Sequence, residues 1–323
     1  MKNGPSFIPS PRAAVVSLAA TAALGALHAA PAQAAFAECA SNQPAAKVVG
    51  DIGAAIEGAV VDRSGRLYVT DLLGGRILRF DTPGAAPKVL STIPSKNGGG
   101  ALALEPDGTV IVGTGADPRV FLGDVLRPGA ISRVNQVTGA LTEIAKGFSA
   151  ANGLDVTANG TIYATNDFGA LVGRRTPDGK VNAAWTVFPS ANGAVLSKDD
   201  QYLYVSRTFV NPGVSRIPIA NPAKPESLLD LGFADLLAFP DGLTLDSKDR
   251  PVVPMNGSGD IVRIDAPGKA CKLASGLNSS SVVVYGRGTK GFSAGRLFRA
   301  GFDGKVYEVP SAFDAGASTN PAA

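Results

Sequence analysis

The sequence predicts an all-β fold, a six-bladed β-propeller of four-stranded blades. Three observations lead there. One pattern opens six times, at residues 57, 100, 152, 192, 241 and 280, at intervals of 43, 52, 40, 49 and 39 residues. Each opening leads into an apolar stretch broken by a turn residue seven positions after the second residue of the opening pair: Gly65, Gly108, Gly160, Asp200, Asp249 and Gly288. That order is strand, tight turn, strand. Each interval also has room for two further strands.

Taken in order, the first copy predicts an inner strand over residues 58–62, then strands at 66–70, 76–81 and 88–92. Comparable third strands fall at 130–135, 215–219 and 260–265, and comparable outer strands at 141–145, 181–187 and 270–274. The sixth copy runs out of chain after 305–309. The alternating segment 46–52 is expected to supply its missing outer strand, closing the ring and protecting its edges. Two insertions lengthen the connection after a second strand, 113–129 in blade two and 207–213 in blade four. Both are expected to overhang the face on which the repeats open, as binding elements or as exposed decoration.

Residues 1–34 read as a secretory signal peptide. Lys2 and Arg12 form a charged start, an Ala-rich apolar run follows, and Ala32-Gln33-Ala34 is a small-residue cleavage site. The propeller then occupies 35–310, and the Ala/Gly/Ser/Pro-rich segment 311–323 is expected to be a disordered tail. Secretion or export to a periplasm implies an oxidising compartment, in which Cys39 and Cys271, the only two cysteines, are expected to form a disulfide; the alternative is two free thiols. Removing Lys2 and Arg12 lowers the formal charge from +3 to +1, and no Lys/Arg cluster stands out. Nucleic acid and anionic surfaces are therefore not indicated as partners. Beyond the signal no run is long and apolar enough for a membrane span. A monomer is expected.

The only histidine, His28, lies in the signal segment. The mature chain has no imidazole, which excludes a Ser-His-Asp triad, a Cys-His dyad and a His-ligated metal. It also disposes of the GFSAG run at 291–295, which matches a nucleophile elbow in letters but sits between predicted strands with no histidine partner.

Chemistry is concentrated in the openings. Glu57-Gly58, Asn152-Gly153, Asn192-Gly193 and Asp241-Gly242 begin four copies; Gly100-Ala101 and Ser280-Ser281 begin the others. Asn-Gly and Asp-Gly are also common turn dipeptides, but Glu57 is not a turn former. If the copies pack round an axis, these four side chains converge. Two carboxylates and two amide oxygens suit a hard divalent cation, Ca²⁺ or another of its kind. Such an ion polarises an ester or lactone carbonyl, with Asp241 the expected base for water and Glu57 the anchoring ligand. Asp71, Asn166 and Asn256 lie 14 or 15 residues after their openings, with Arg207 in the equivalent place of blade four, and are expected to contact substrate.

These motifs resemble the senescence marker protein / gluconolactonase / luciferin-regenerating enzyme family. The likeness rests on Glu57-Gly58, Ala151-Asn152-Gly153-Leu154-Asp155, Ala191-Asn192-Gly193 and Phe239-Pro240-Asp241-Gly242-Leu243. It implies a six-bladed propeller, a divalent ion, usually calcium, on Glu57, Asn192 and Asp241, an auxiliary Asn152, and hydrolysis of lactones. The paraoxonases have a similar ion site but use histidines, which this chain lacks. The expected activity is calcium-dependent hydrolysis of a small lactone or ester. The alternatives are a ligand- or protein-binding propeller with a structural calcium, and a strictosidine-synthase-like propeller using a carboxylate such as Glu143 or Glu308.

Overall fold

Within each repeat, short β-rich segments pair with their sequence neighbours through tight turns, and the result is six four-stranded antiparallel sheets arranged as a six-bladed propeller. The structure is a computed structural model that describes residues 36–94 and 98–318. The expected signal peptide lies outside the described residues. The innermost strands are Ile56–Val61, Gly99–Leu104, Leu154–Val156, Ala191–Leu196, Thr244–Leu245 and Ser280–Tyr285. All six expected turn residues have φ in the left-handed region, from 56° at Asp200 and Asp249 to 91° at Gly108. Such a φ is what a tight connection between right-twisted strands requires.

Burial falls from the axis outward. The inner strand Ala191–Leu196 and the second strand Val110–Thr114 are buried along their whole length, whereas the outer strands Lys88–Thr92 and Val181–Val187 are largely exposed. Inner strands therefore read as apolar runs and outer strands as mixed ones. The core lies between blades. Among the described residues six apolar clusters occur, and each bridges two neighbouring blades. One joins blade six to blade one through Phe80, Phe292 and Phe298.

Closure follows the expectation. Lys47–Asp51 pairs antiparallel with Lys305–Val309 as the fourth strand of the last blade. Cys39 and Cys271 are disulfide-bonded across 232 residues of sequence. Next to the bond Glu38 bridges Lys272 in parallel, so the N-terminal segment runs along the outer edge of blade five. The expectation of a disordered tail from Ser311 does not hold over residues 311–318. Pro310–Ala312 is a 3-10 turn, and Ala312 and Ala317 are buried in the cluster between blades five and six. Asp314 accepts hydrogen bonds from the backbone and hydroxyl of Ser247. A compositionally bland segment is thus packed through its two buried alanines.

Candidate functional site

The Gly that follows each opening side chain is set by crowding at the axis. A Cβ on Gly58 would stand 2.5 Å from Gly100 O, and one on Gly153 2.1 Å from Asn192 O. One on Gly193 would stand 2.7 Å from Gly242 Cα. None of these glycines has φ in the left-handed region. They are positions of close approach between blades, which rules out the turn reading of Asn-Gly and Asp-Gly here. Hydroxyls on or next to the second strands, and one on the inner strand of blade six, tie this ring together. Thr70 Oγ1 accepts from Gly58 N at 2.8 Å and donates to Gly100 O of the next blade at 2.8 Å. Thr165 does the same between Gly153 N and Asn192 O. Ser281 Oγ donates to Ile56 O at 2.6 Å across the closure. The backbone that carries the site is thus fixed from both sides.

Glu57, Asn152, Asn192 and Asp241 converge as the sequence predicts. All four line a narrow axial channel of about 80 Å³, and all four line a wider cavity of about 300 Å³ on the face where the blades open. They form the boundary between the two. The upper cavity also takes Asp167, Thr208 and Asn256, and its walls include Leu72, Val120, Phe168, Phe209, Phe239 and Phe302. Among the described residues no lysine or arginine lines it.

The hydrogen bonds orient the amides. Asn152 Nδ2 donates to Asp167 Oδ1 at 2.9 Å, and Asn152 Oδ1 is buried with no partner. Asn192 Nδ2 donates to Thr208 Oγ1 at 3.0 Å, and Thr208 in turn donates to Pro240 O at 2.7 Å. Asp241 accepts from Gly242 N at 2.9 Å and from Asn256 Nδ2 at 3.2 Å. Glu57 Oε2 is buried and has no partner. Burial holds the Glu57 carboxyl well above the usual carboxylate range, and the Asp241 and Asp167 charges add to it. Burial and then Asp167 do the same to Asp241, against the bonds from Gly242, Asn256 and Asn192. Asp167 is pushed up to about 6 by burial, against its bond from Asn152.

Converging carboxylates with no cation beside them, and buried oxygens without donors, are what a hard divalent ion would satisfy. Among the described residues no group of three His, Cys, Asp or Glu side chains forms a metal site by itself. An ion here would depend on the amide oxygens of Asn152 and Asn192 as well as on Glu57 and Asp241. That donor set fits calcium better than a metal preferring nitrogen or sulfur.

Of the four residues expected to contact substrate, only Asn256 lines the cavity. Asp71 is turned into an ion pair with Arg76 at 2.7 Å and caps the turn at Gly74 N. Arg207 pairs with Asp230 and donates to Leu229 O at 2.9 Å. Asn166 donates to Val120 O and Ser149 Oγ, and so supports the blade-two insertion rather than facing the cavity. The error is one of register. Leu72, Asp167 and Asn256 all lie 15 residues after their openings, and Thr208 lies 16 after in blade four, which carries one extra residue. All four reach the cavity. A shift of one residue along an extended segment turns a side chain to the other face. Holding one offset through every blade, with the extra residue of blade four added, would have selected Asp167 and Thr208, the two polar residues that sequence reasoning missed.

The insertions overhang the site. Ala116 and Val120 of the first, and Phe209 of the second, line the cavity. The first folds as a 3-10 turn, Pro118–Leu122, and a short helix, Gly123–Leu126. Asp124 anchors it to blade three, accepting from Ser149 Oγ at 2.6 Å and Ala170 N at 2.7 Å.

The SMP-30/Gluconolactonase/LRE-like region matches residues 56–286. The chain belongs to this family. Within the lactonase-like group it is 25% identical to Lactonase drp35 of Staphylococcus haemolyticus over 230 residues, 66% of this chain and 67% of that protein. Among solved structures it is similar to a gluconolactonase from Xanthomonas campestris, with a TM-score of 0.67 at 17% identity over 85% of this chain and 97% of that one. It is also similar to the calcium-binding protein regucalcin from Agrobacterium tumefaciens, with a TM-score of 0.63 at 18% identity over 86% of this chain and 97% of that one. At these identities the structural likenesses establish the fold. Among the described residues no helix is long and apolar enough to cross a membrane.

Proposed function

We propose that this member of the family is a calcium-dependent hydrolase of small lactones or related esters. The observation that carries the reading is the convergence of Glu57, Asn152, Asn192 and Asp241 on one cavity floor, with Glu57 Oε2 and Asn152 Oδ1 buried and unpartnered. When bound, the ion supplies Lewis-acid polarisation of the substrate carbonyl and charge compensation for its oxyanion. The rest belongs to the chain. Glu57 and Asp241 balance the two positive charges. Asp167 and Thr208 engage the Asn152 and Asn192 amide nitrogens, with Asn152 Oδ1 left unpartnered and Asn192 Oδ1 accepting from Asn152 Nδ2 at 3.4 Å. Asp241 takes the proton from the attacking water, and Asn256 holds the carboxylate in place during that transfer. The disulfide supports work in an oxidising compartment, in line with export.

Titrimetric hydrolysis of a lactone panel by the mature protein tests the reading. Activity is expected with added Ca²⁺, to vanish with EDTA and to return when Ca²⁺ is restored. Hydrolysis that persists after complete removal of calcium overturns the role of the ion, and no hydrolysis of any lactone by the calcium-loaded protein overturns the activity.

A pH dependence follows from the raised carboxyls. In the cation-free protein these groups hold protons to higher pH than ordinary carboxylates, with Asp167 near 6. Calcium must displace those protons. Its affinity, measured by calorimetry from pH 5 to 8, is expected to fall as pH drops, by roughly tenfold per unit for each proton displaced. Binding heats in buffers of different ionisation enthalpy should reveal the released protons. An affinity that stays flat over this range would remove these carboxylates from the site.

A further inference from the structure

The upper walls of the cavity are not built for a sugar. Its charged groups all lie at or beside the floor, and the other polar side chains there, Thr208 and Asn256, are hydrogen-bonded to that floor. Thr208 accepts from Asn192 and donates to Pro240 O, and Asn256 donates to Asp241. Above them the lining is Leu72, Val120 and four phenylalanines. A hydroxylated ring seated here would bury several hydroxyls without partners.

Three of these phenylalanines, Phe168, Phe209 and Phe239, form one connected surface. Phe168 stacks on Phe209 with ring centroids 4.9 Å apart, Phe209 meets Phe239 at 5.9 Å, and Phe121 of the insertion meets Phe168 at 4.5 Å. Three of the lining rings stay open towards the cavity mouth: Phe168, Phe209 and Phe302 are 43%, 47% and 40% exposed. Phe239 is held in the left-handed region at φ 52°, an unfavourable conformation for a bulky side chain. Its carbonyl accepts from Asn256 N at 2.9 Å, and Gly257 leaves space that a Cβ would fill 3.0 Å from the ring. Strain of this kind persists where the surroundings impose it, and here it keeps an aromatic wall two residues before Asp241. Four blades and both insertions contribute to this apolar surface, so it is a property of the whole mouth.

We infer that the substrate is an apolar carbonyl compound, a lactone or ester bearing an aryl or medium-length alkyl group, whose carbonyl meets the floor while its apolar part lies against Phe168, Phe209, Phe239 and Phe302. The carbonyl half of this inference rests on the hydrolase reading; the apolar half does not. A cavity of about 300 Å³ is at the small end for ligand sites, which suits a single ring with a short chain.

The test compares kcat/KM of the calcium-loaded protein on γ-butyrolactone, γ-decalactone and glucono-1,5-lactone. γ-Decalactone is expected to exceed the sugar lactone by at least ~100-fold, with roughly a fourfold gain for each methylene buried relative to the bare ring. Phe168→Ser and Phe209→Ser are expected to reduce the decalactone-to-butyrolactone ratio by about tenfold. In parallel, calorimetry measures binding of the non-hydrolysable hexyl-substituted lactam and of gluconolactam. Tight binding of the hexyl lactam that Phe168→Ser weakens, without hydrolysis of any lactone, would uphold the apolar site while removing the hydrolase reading. A preference for the sugar compounds in either assay, hexyl-lactam binding indifferent to Phe168→Ser, or no binding of either lactam overturns the inference.

Discussion

Replacing Asp241 by asparagine is expected to abolish lactone hydrolysis and to weaken calcium binding by ~100-fold or more, while making the cation-free protein more stable at neutral pH. The two effects have one cause. Asp241 is 5% exposed, and burial together with the Asp167 charge raises its pKa well above the ordinary value. A carboxyl whose folded pKa is raised favours the folded state below its unfolded pKa and loses that contribution as pH rises through the folded pKa. Above its unfolded pKa the group therefore opposes folding unless a cation compensates it. The isosteric amide removes that opposition. It keeps the acceptor for Gly242 N, though Asn256 must turn its amide to present oxygen. Urea unfolding in EDTA should show Asp241→Asn above the native chain near pH 8, with the gap closing towards pH 4. Calcium should stabilise the native chain and not the variant. A fall in stability without calcium would place the role of Asp241 in packing. Recovery of full activity at saturating calcium would leave it a ligand and pass the proton transfer to another group.

Most of the ring was legible because propeller repeats state their geometry in several signals at once. The opening register, the turn residue seven positions on and the missing outer strand all converge, and each has a physical cause in the structure. The floor of the site was legible for the same reason, since symmetry about an axis brings equivalent positions together. Legibility failed where one repeat cannot be compared with the next. The choice between Asn166 and Asp167 turns on which side of an extended segment faces the cavity, and an offset wrong by one residue selects the supporting residue in place of the lining one. The phenylalanine wall drew on Phe168 and Phe209, which follow Asp167 and Thr208 at equivalent places, and on Phe239 and Phe302, which share no spacing from their openings. The segment 311–318 was misread because composition reports chain entropy and hydropathy, and neither records that Ala312 and Ala317 fill small recesses.

The second large effect is expected from Gly153→Ala, a change of one methyl group. Read as half of an Asn-Gly turn, Gly153 would tolerate alanine at the modest cost of an exposed site. The axis packing gives a different result. The new Cβ would lie 2.1 Å from Asn192 O, 2.4 Å from Thr165 Oγ1 and 2.8 Å from Ala194 N. Two of these contacts are backbone of the neighbouring blade, and the third is the hydroxyl that links the two blades. Relief requires blades three and four to separate, which breaks that link and the close packing around it. Overpacking and a lost buried hydrogen bond together should cost about 3 kcal/mol or more. Because Asn192 moves with its carbonyl, calcium affinity should fall even in the fraction that folds. Gly160→Ala is the control. Gly160 has φ 84° and nothing within 4 Å of the added Cβ, so only backbone strain of about 1–2 kcal/mol applies, far from the ion. Urea denaturation and calcium titration of both variants separate the cases. Equal destabilisation with equal calcium affinity would mean that the glycines at the axis serve chain flexibility, and that the inner strands do not hold the site by contact between blades.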